Sequence, residues 1–168
     1  KIITSNDDDY IKIDKDVYFN LNNSFQKGKI EISGNINSKY LSTSSSIAFG
    51  KETTVILSGS KNQVICCKSE FGNLTISGEK TVTLQKDIYV NENLDTGDNL
   101  IDGSKNIYIN SLSQLVDNKF KGTLGIKGEL VLSNDIFFDG GLILCNKVDL
   151  NGKEIERHPS DSEPFSAL

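Results

Sequence analysis

The side chains with the greatest chemical reach are few and scattered. Arg157 is the only arginine and His158 the only histidine, adjacent to each other and to Pro159. Proton transfer requires a base held rigidly within hydrogen-bond reach of its substrate, and this segment has lost the regular patterning of the chain before it, so no catalytic role is assigned to either residue. Asp135 and Asp139 are close enough in sequence to suggest the two carboxylates of a glycoside hydrolase. Each has an ordinary explanation, however, Asp135 at a turn and Asp139 just beyond a strand, where carboxylates cap or are solvated. Asp7-Asp8-Asp9 and the loop 95–99 offer hard oxygen ligands, with Asp95, Asp98 and Asn99 around Gly97 the better set. Neither follows the spacing of an EF-hand or a calcium-roll nonapeptide, so surface solvation is the expectation and no metal or cofactor is assigned. Of the three cysteines, Cys66 and Cys67 are adjacent in a β-branched run and point to opposite faces of a strand. They and Cys145 read as small buried or half-buried apolar groups.

The elements that would carry these residues are strands. Apolar and polar residues alternate at period two almost throughout, and only Ser111 to Lys119 offers a short helical possibility. One phrase recurs: two alternating apolar residues, a polar turn, two more alternating apolar residues, then Asn or Asp. It appears as Ile11 to Asn20, Val82 to Asn91 and Ile101 to Asn110, then as Leu130 to Gly140 and, almost directly after that, Leu142 to Gly152. The inward set is Ile11, Ile13, Val17 and Phe19, then Val82, Leu84, Ile88 and Val90, then Leu130, Leu132, Ile136 and Phe138, then Leu142, Leu144, Val148 and Leu150. A second phrase, an alternating strand followed by Ser-Gly, ends at Gly34, Gly59 and Gly78. The gaps between those glycines suit one coil of a parallel β-solenoid, whose stacked turns bury a continuous inward column.

These phrases resemble the right-handed parallel β-helix proteins, the pectin-lyase-like superfamily that includes autotransporter passenger domains. The most specific wording is Leu142 to Ile155, with Val-Asp-Leu-Asn-Gly-Lys-Glu-Ile at its end. The resemblance spans most of residues 10 to 155 and implies an all-β parallel solenoid. The copies of the first phrase begin at Ile11, Val82, Ile101, Leu130 and Leu142, an uneven spacing, and Asn151-Gly152 is a type I′ hairpin signal. An antiparallel β-sandwich or meander is therefore the alternative. Residues 1–155 form one domain on this reading and 156–168 a polar, disordered tail. If the resemblance extended to polysaccharide lyases, clustered Asp and a basic residue on neighbouring coils would be needed, and the body of the chain has no Arg.

Stacking also aligns an outward row: Tyr18, Tyr89, Tyr108 and Phe137 hold the same place in four copies. Aromatic faces pack on sugar rings or on apolar protein surfaces; the competing expectation is that a loop or subunit covers them, and the absence of Trp argues against a dedicated sugar platform. A net charge of −5 with a pI near 4.9 excludes the basic surface that nucleic acid requires. No apolar run approaches the ~20 residues of a membrane span.

The chain starts at Lys1 without Met, which suggests a mature or excised piece. The functional expectation is a non-catalytic binding or adhesion module, secreted or on a cell surface, with a glycan or protein partner. The alternatives are a carbohydrate-active enzyme on the same scaffold, and an intracellular effector scaffold, which free thiols would suit.

Overall fold

The computed structural model describes residues 3–19, 24–38, 46–97, 99–102, 105, 107–109, 115–116, 119–121, 124–126, 129–131, 136–139 and 147–157. Those residues contain strands and no helix, and every strand pairing is parallel. The fold is a β-solenoid. Where a helix was the possibility, at Ser111 to Lys119, the described residues are instead Leu115–Val116 and the start of Lys119–Lys121, each added in parallel to a ladder.

Each coil presents three short strand segments, which stack into three ladders. The strand Lys68–Ile76 shows the arrangement: its first part pairs with Ser46–Ala48 and its last part with Glu52–Leu57. The burial alternation slips at Phe71-Gly72, both buried, so that the strand bends there from the first ladder into the second. The second ladder aligns Ile11, Ile30, Val55, Leu74, Leu94 and Leu115. The third aligns Val17, Ile36, Ile65 and Leu84 and, two residues earlier in the strand, Val82, Ile101, Phe120, Phe138 and Arg157.

Most inward aliphatics lie fully buried, as alternation demands of a strand covered on one face. Ile30, Ile32, Ile36, Val55, Val82, Ile88 and Val90 have no exposed surface. Aromatic rings fill the first corner. Phe19 and Phe25 meet edge to face at 5.4 Å, Phe25 and Phe49 lie 5.3 Å apart, and Phe49 stacks on Phe71 at 5.3 Å and 8°.

The corners are where the sequence chemistry is most particular. At the first corner the backbones of successive coils approach so closely that a Cβ on Gly72 would collide with the Gly50 carbonyl oxygen, and one on Gly50 would lie 2.5 Å from that of Gln26. On the outside of this corner the Asn93 side-chain amide donates to Asn73 Oδ1 at 2.7 Å, and Asn73 donates to the Lys51 carbonyl at 3.0 Å. At the second corner the Ser-Gly pairs stack as their spacing foretold. The amides of Ser33, Ser58 and Ser77 donate to the carbonyls of Ile13, Ile32 and Leu57 in the coil before.

Three different residue types do one job inside that second corner. Gln63 donates to the carbonyls of Ile32 and Gly34, Lys80 Nζ to those of Leu57 and Gly59 at 2.7 and 2.9 Å, and Asn99 to those of Ile76 and Thr96 at 3.1 and 2.7 Å. Each adds a side-chain donor to the carbonyls of the corner, of which those of Ile32, Leu57 and Thr96 also accept from an amide. Lys80 is only 8 % exposed, and burial pushes its ammonium down to about 8 from an ordinary 10.5. The unfolded chain therefore binds more protons between those values, so stability rises as pH is raised from about 8 towards 10.5. We expect the urea midpoint of the wild type to increase between pH 7.5 and pH 9.5 relative to that of Lys80→Met. Equal pH dependence in the two proteins would refute the assignment.

Several register expectations are corrected. Ile11 lies in the second ladder and Val82 in the third, so the Ile11 to Asn20 phrase is out of phase with Val82 to Asn91 by one face. The physical reason is that any two successive faces read as apolar pair, turn, apolar pair. Leu130 pairs with Val148, so the twelve-residue offset between the last two copies is not the register of the ladder there. Val148 and Leu150 are 40 % and 47 % exposed rather than inward. Asn151 and Gly152 do take positive φ, 46° and 72°, and Lys153 N donates to Leu150 O at 2.7 Å, as a type I′ turn requires. The turn nevertheless joins two ladders, since the strands on either side pair in parallel with other coils. Arg157, placed with the tail from its composition, closes a strand in register with Phe138. His158 and the rest of the tail, with Leu132, Leu142 and Leu144, lie outside the described residues.

Candidate functional site

The outward side chains of the first ladder form the most organised exposed surface. Tyr89 and Tyr108 occupy the same position in consecutive coils, aligned with Glu70 on one side and Gly125 on the other. Strands spaced by ~4.8 Å bring equivalent side chains into contact. The two rings stack at 4.9 Å and 19°, and both are half-buried. Lys68 Nζ stands 4.9 Å from the Tyr89 ring centroid, so the quadrupole of the stack already holds one cation.

The four-ring row expected from the repeats is not formed. Tyr18 lies on the third ladder, paired in register with Asn37 and 65 % exposed. Phe137 is also on the third ladder, between Lys119 and Glu156. The phase error in the Ile11 to Asn20 phrase placed Tyr18 on the wrong face, and the same three-fold ambiguity misplaced Phe137.

A second cluster was not foreseen. On the second ladder the Glu31 carboxylate accepts from the Tyr10 hydroxyl and from Ser58 Oγ at 2.9 Å, and ion-pairs with Lys12 at 3.2 Å; Ser33 Oγ is 3.3 Å from Ser58 Oγ. The Tyr10 hydroxyl, then the Ser58 hydroxyl and the Lys12 ammonium, hold the Glu31 carboxyl below its usual range, and Glu31 in turn raises the Tyr10 phenol. A carboxylate fixed in its ionised form is a poor general acid. Elsewhere Asp7 and Glu52 converge on Lys27, at 3.5 and 2.5 Å. The signal for both clusters was the length of a coil, which sets Lys12 beside Glu31 and Lys27 beside Glu52.

The remaining candidates have structural roles. Asp9 accepts from the amides of Ser5 and Asn6 at 2.7 and 3.0 Å, and those bonds, Asn6 first, hold its carboxyl low. Asp95 accepts from Gly97 N at 3.0 Å, and Asn99 is 2 % exposed with its amide spent on the corner carbonyls. Asp98 and Asp135 lie outside the described residues; Asp139 ends a strand in register with Lys121. Among the described residues no group of three or more His, Cys, Asp or Glu is placed to hold a metal.

The chain matches no family model, no curated protein and no solved structure. Its chemistry must therefore be read from its own residues. Cys67 is buried in the core with Sγ 3.6 Å from Ser69 Oγ, and Cys66 is half-buried. Burial raises both thiols, which lowers the thiolate fraction on which cysteine nucleophilicity depends. Cys145 lies outside the described residues. Among the described residues no helix is long and apolar enough to cross a membrane.

Proposed function

We propose that this chain is a non-catalytic binding module, secreted or displayed at a cell surface, which presents the outer face of its first ladder to a glycan or protein partner. The observation that supports this reading is the stacked, half-exposed Tyr89–Tyr108 pair with Lys68 beside it. A flat aromatic platform gains from apolar ring faces, and the adjacent ammonium and the Glu70 carboxylate in register with Tyr89 supply polar groups for orientation. The rigid parallel ladder beneath keeps the ordering cost of binding small.

A glycan array probed with the wild type and with Tyr89→Ser/Tyr108→Ser, run beside a hydrolysis and lyase screen on acidic polysaccharides, tests the proposal. The expected result is specific retention by the wild type, its loss in the double variant, and no turnover. Stability should fall by no more than about 1 kcal/mol, the value of one aromatic pair at a surface. Unchanged retention in the double variant removes the platform from the proposal. A steep loss of stability makes the rings packing groups, and turnover moves the protein to the enzyme class.

A further inference from the structure

Two opposite charges lie beside the Tyr89–Tyr108 stack, and neither neutralises the other. Lys68 and Glu70 stand on the outer face of the strand Lys68–Ile76, both half-buried, with the buried Ser69 between them. They form no ion pair. The Lys68 ammonium lies over the Tyr89 ring at 4.9 Å, and the Glu70 carboxylate, in register with Tyr89, meets no donor among the described residues. Other half-buried carboxylates are held: Asp9 accepts from two amides, Glu31 from two hydroxyls and the Lys12 ammonium, and Glu92 faces Lys51 at 4.0 Å. Asp87, just before the strand of Tyr89, is also engaged. Glu70 is thus left with idle acceptor oxygens next to an ammonium whose N–H groups donate to no oxygen among the described residues.

We infer, on the reading proposed above, that the ligand of this face is an uncharged glycan and that Glu70 and Lys68 are the residues that select it. A cation drawn to Glu70 would be brought up against the Lys68 ammonium, and an anion drawn to Lys68 would meet the Glu70 carboxylate. Like charges set together across an interface are costly. A sugar hydroxyl escapes both penalties, because it is donor and acceptor at once. One hydroxyl donates to Glu70, another accepts from Lys68, and the rings supply the apolar contact for the C–H surface of the same sugar. The net charge of −5 adds to the rejection of anions. Selectivity here is built from repulsion as much as from attraction.

The test is the binding of the intact chain, at physiological salt, to neutral oligosaccharides of glucose, galactose, mannose and xylose. Each is set beside a version carrying one uronic acid and a version carrying one free amino sugar. The wild type should be retained by a neutral oligosaccharide and bind either charged version about tenfold more weakly. Glu70→Gln should close most of the gap to the acidic version, and Lys68→Gln most of the gap to the amino version. Both side chains face outward, so these variants should keep the wild-type melting temperature. Glu79→Gln and Lys61→Gln, equal charge changes at exposed residues of the second corner, should keep the wild-type preference. Controls that shift as far as their counterparts overturn the inference, because net charge would then select the ligand. A wild type that prefers a charged version overturns it too. Loss of binding in Tyr89→Ser/Tyr108→Ser, with wild-type selectivity in Glu70→Gln and Lys68→Gln, overturns it while the aromatic face stands. Retention by no oligosaccharide overturns it and leaves that face to a protein partner.

Discussion

Gly72→Ala is expected to lower stability by about 3 kcal/mol or more, at the upper end of what overpacking costs. The added methyl would collide with Gly50 O and would sit 2.5 Å from Lys51 O and 2.7 Å from Lys51 C, all backbone atoms of the preceding coil. None of them can rotate aside, and the ladders flanking the corner fix the distance between the coils. Gly78 provides the control. Its φ is +89°, but a Cβ there meets nothing nearer than Gly59 O at 3.7 Å, so alanine should cost only the 1–2 kcal/mol of left-handed backbone strain, roughly. Urea unfolding followed by far-ultraviolet circular dichroism should rank Gly72→Ala well below Gly78→Ala. The reverse order, or a Gly72→Ala variant within about 1 kcal/mol of the wild type, would show that the coils are not packed this closely.

The second large effect is expected at Phe71, whose replacement by alanine should cost about 3–5 kcal/mol. Its ring has no exposed surface and stacks on Phe49 at 5.3 Å, the last contact in the series that begins at Phe19. The coils above and below are held by their own ladders, so the space left by the ring cannot collapse and the cavity persists. Phe71→Leu retains most of the volume and should lose less than half as much. With the total stability of domains near about 5–15 kcal/mol, the alanine variant should show a sharply lowered urea midpoint. A loss of less than about 1.5 kcal/mol would mean that the aromatic corner is not a packed unit.

The solenoid itself was legible in the sequence, because the Ser-Gly phrases at Gly34, Gly59 and Gly78 repeat with the length of a coil and the coils stack on that spacing. Tyr89 and Tyr108 were legible for the same reason, standing one coil length apart in identical surroundings. The phase of Ile11 to Asn20 was not, since alternation distinguishes inward from outward but not one face from the next. The coils are also unequal, that from Ile36 to Ile65 being longer than its successor from Ile65 to Leu84, so counting coil lengths back from Val82 does not recover the phase. The phenylalanine corner had a signal that went unread: Phe49-Gly50 and Phe71-Gly72 repeat one pair ahead of a Ser-Gly strand, and Phe25 stands in the same place before Gly34. Lys80 and Gln63 were hidden because a lysine before a strand and a glutamine opening one look solvated; that they turn inward depends on carbonyls one coil away. The Glu31 cluster joins three coils, and no local pattern announces it.

Each coil of this protein touches only the coils beside it, which gives its stability a direction. Separating an end coil breaks one coil-to-coil interface, whereas opening a coil in the middle breaks two. Thermal opening therefore begins at the ends and works inward, and the residues between Ile30 and Val90, covered above and below, are the last to lose their amide protons to solvent. Tyr89 lies within this protected stretch, and Tyr108, one coil on, is likewise covered on both sides. A surface set there keeps its shape through the fluctuations that reach the ends first.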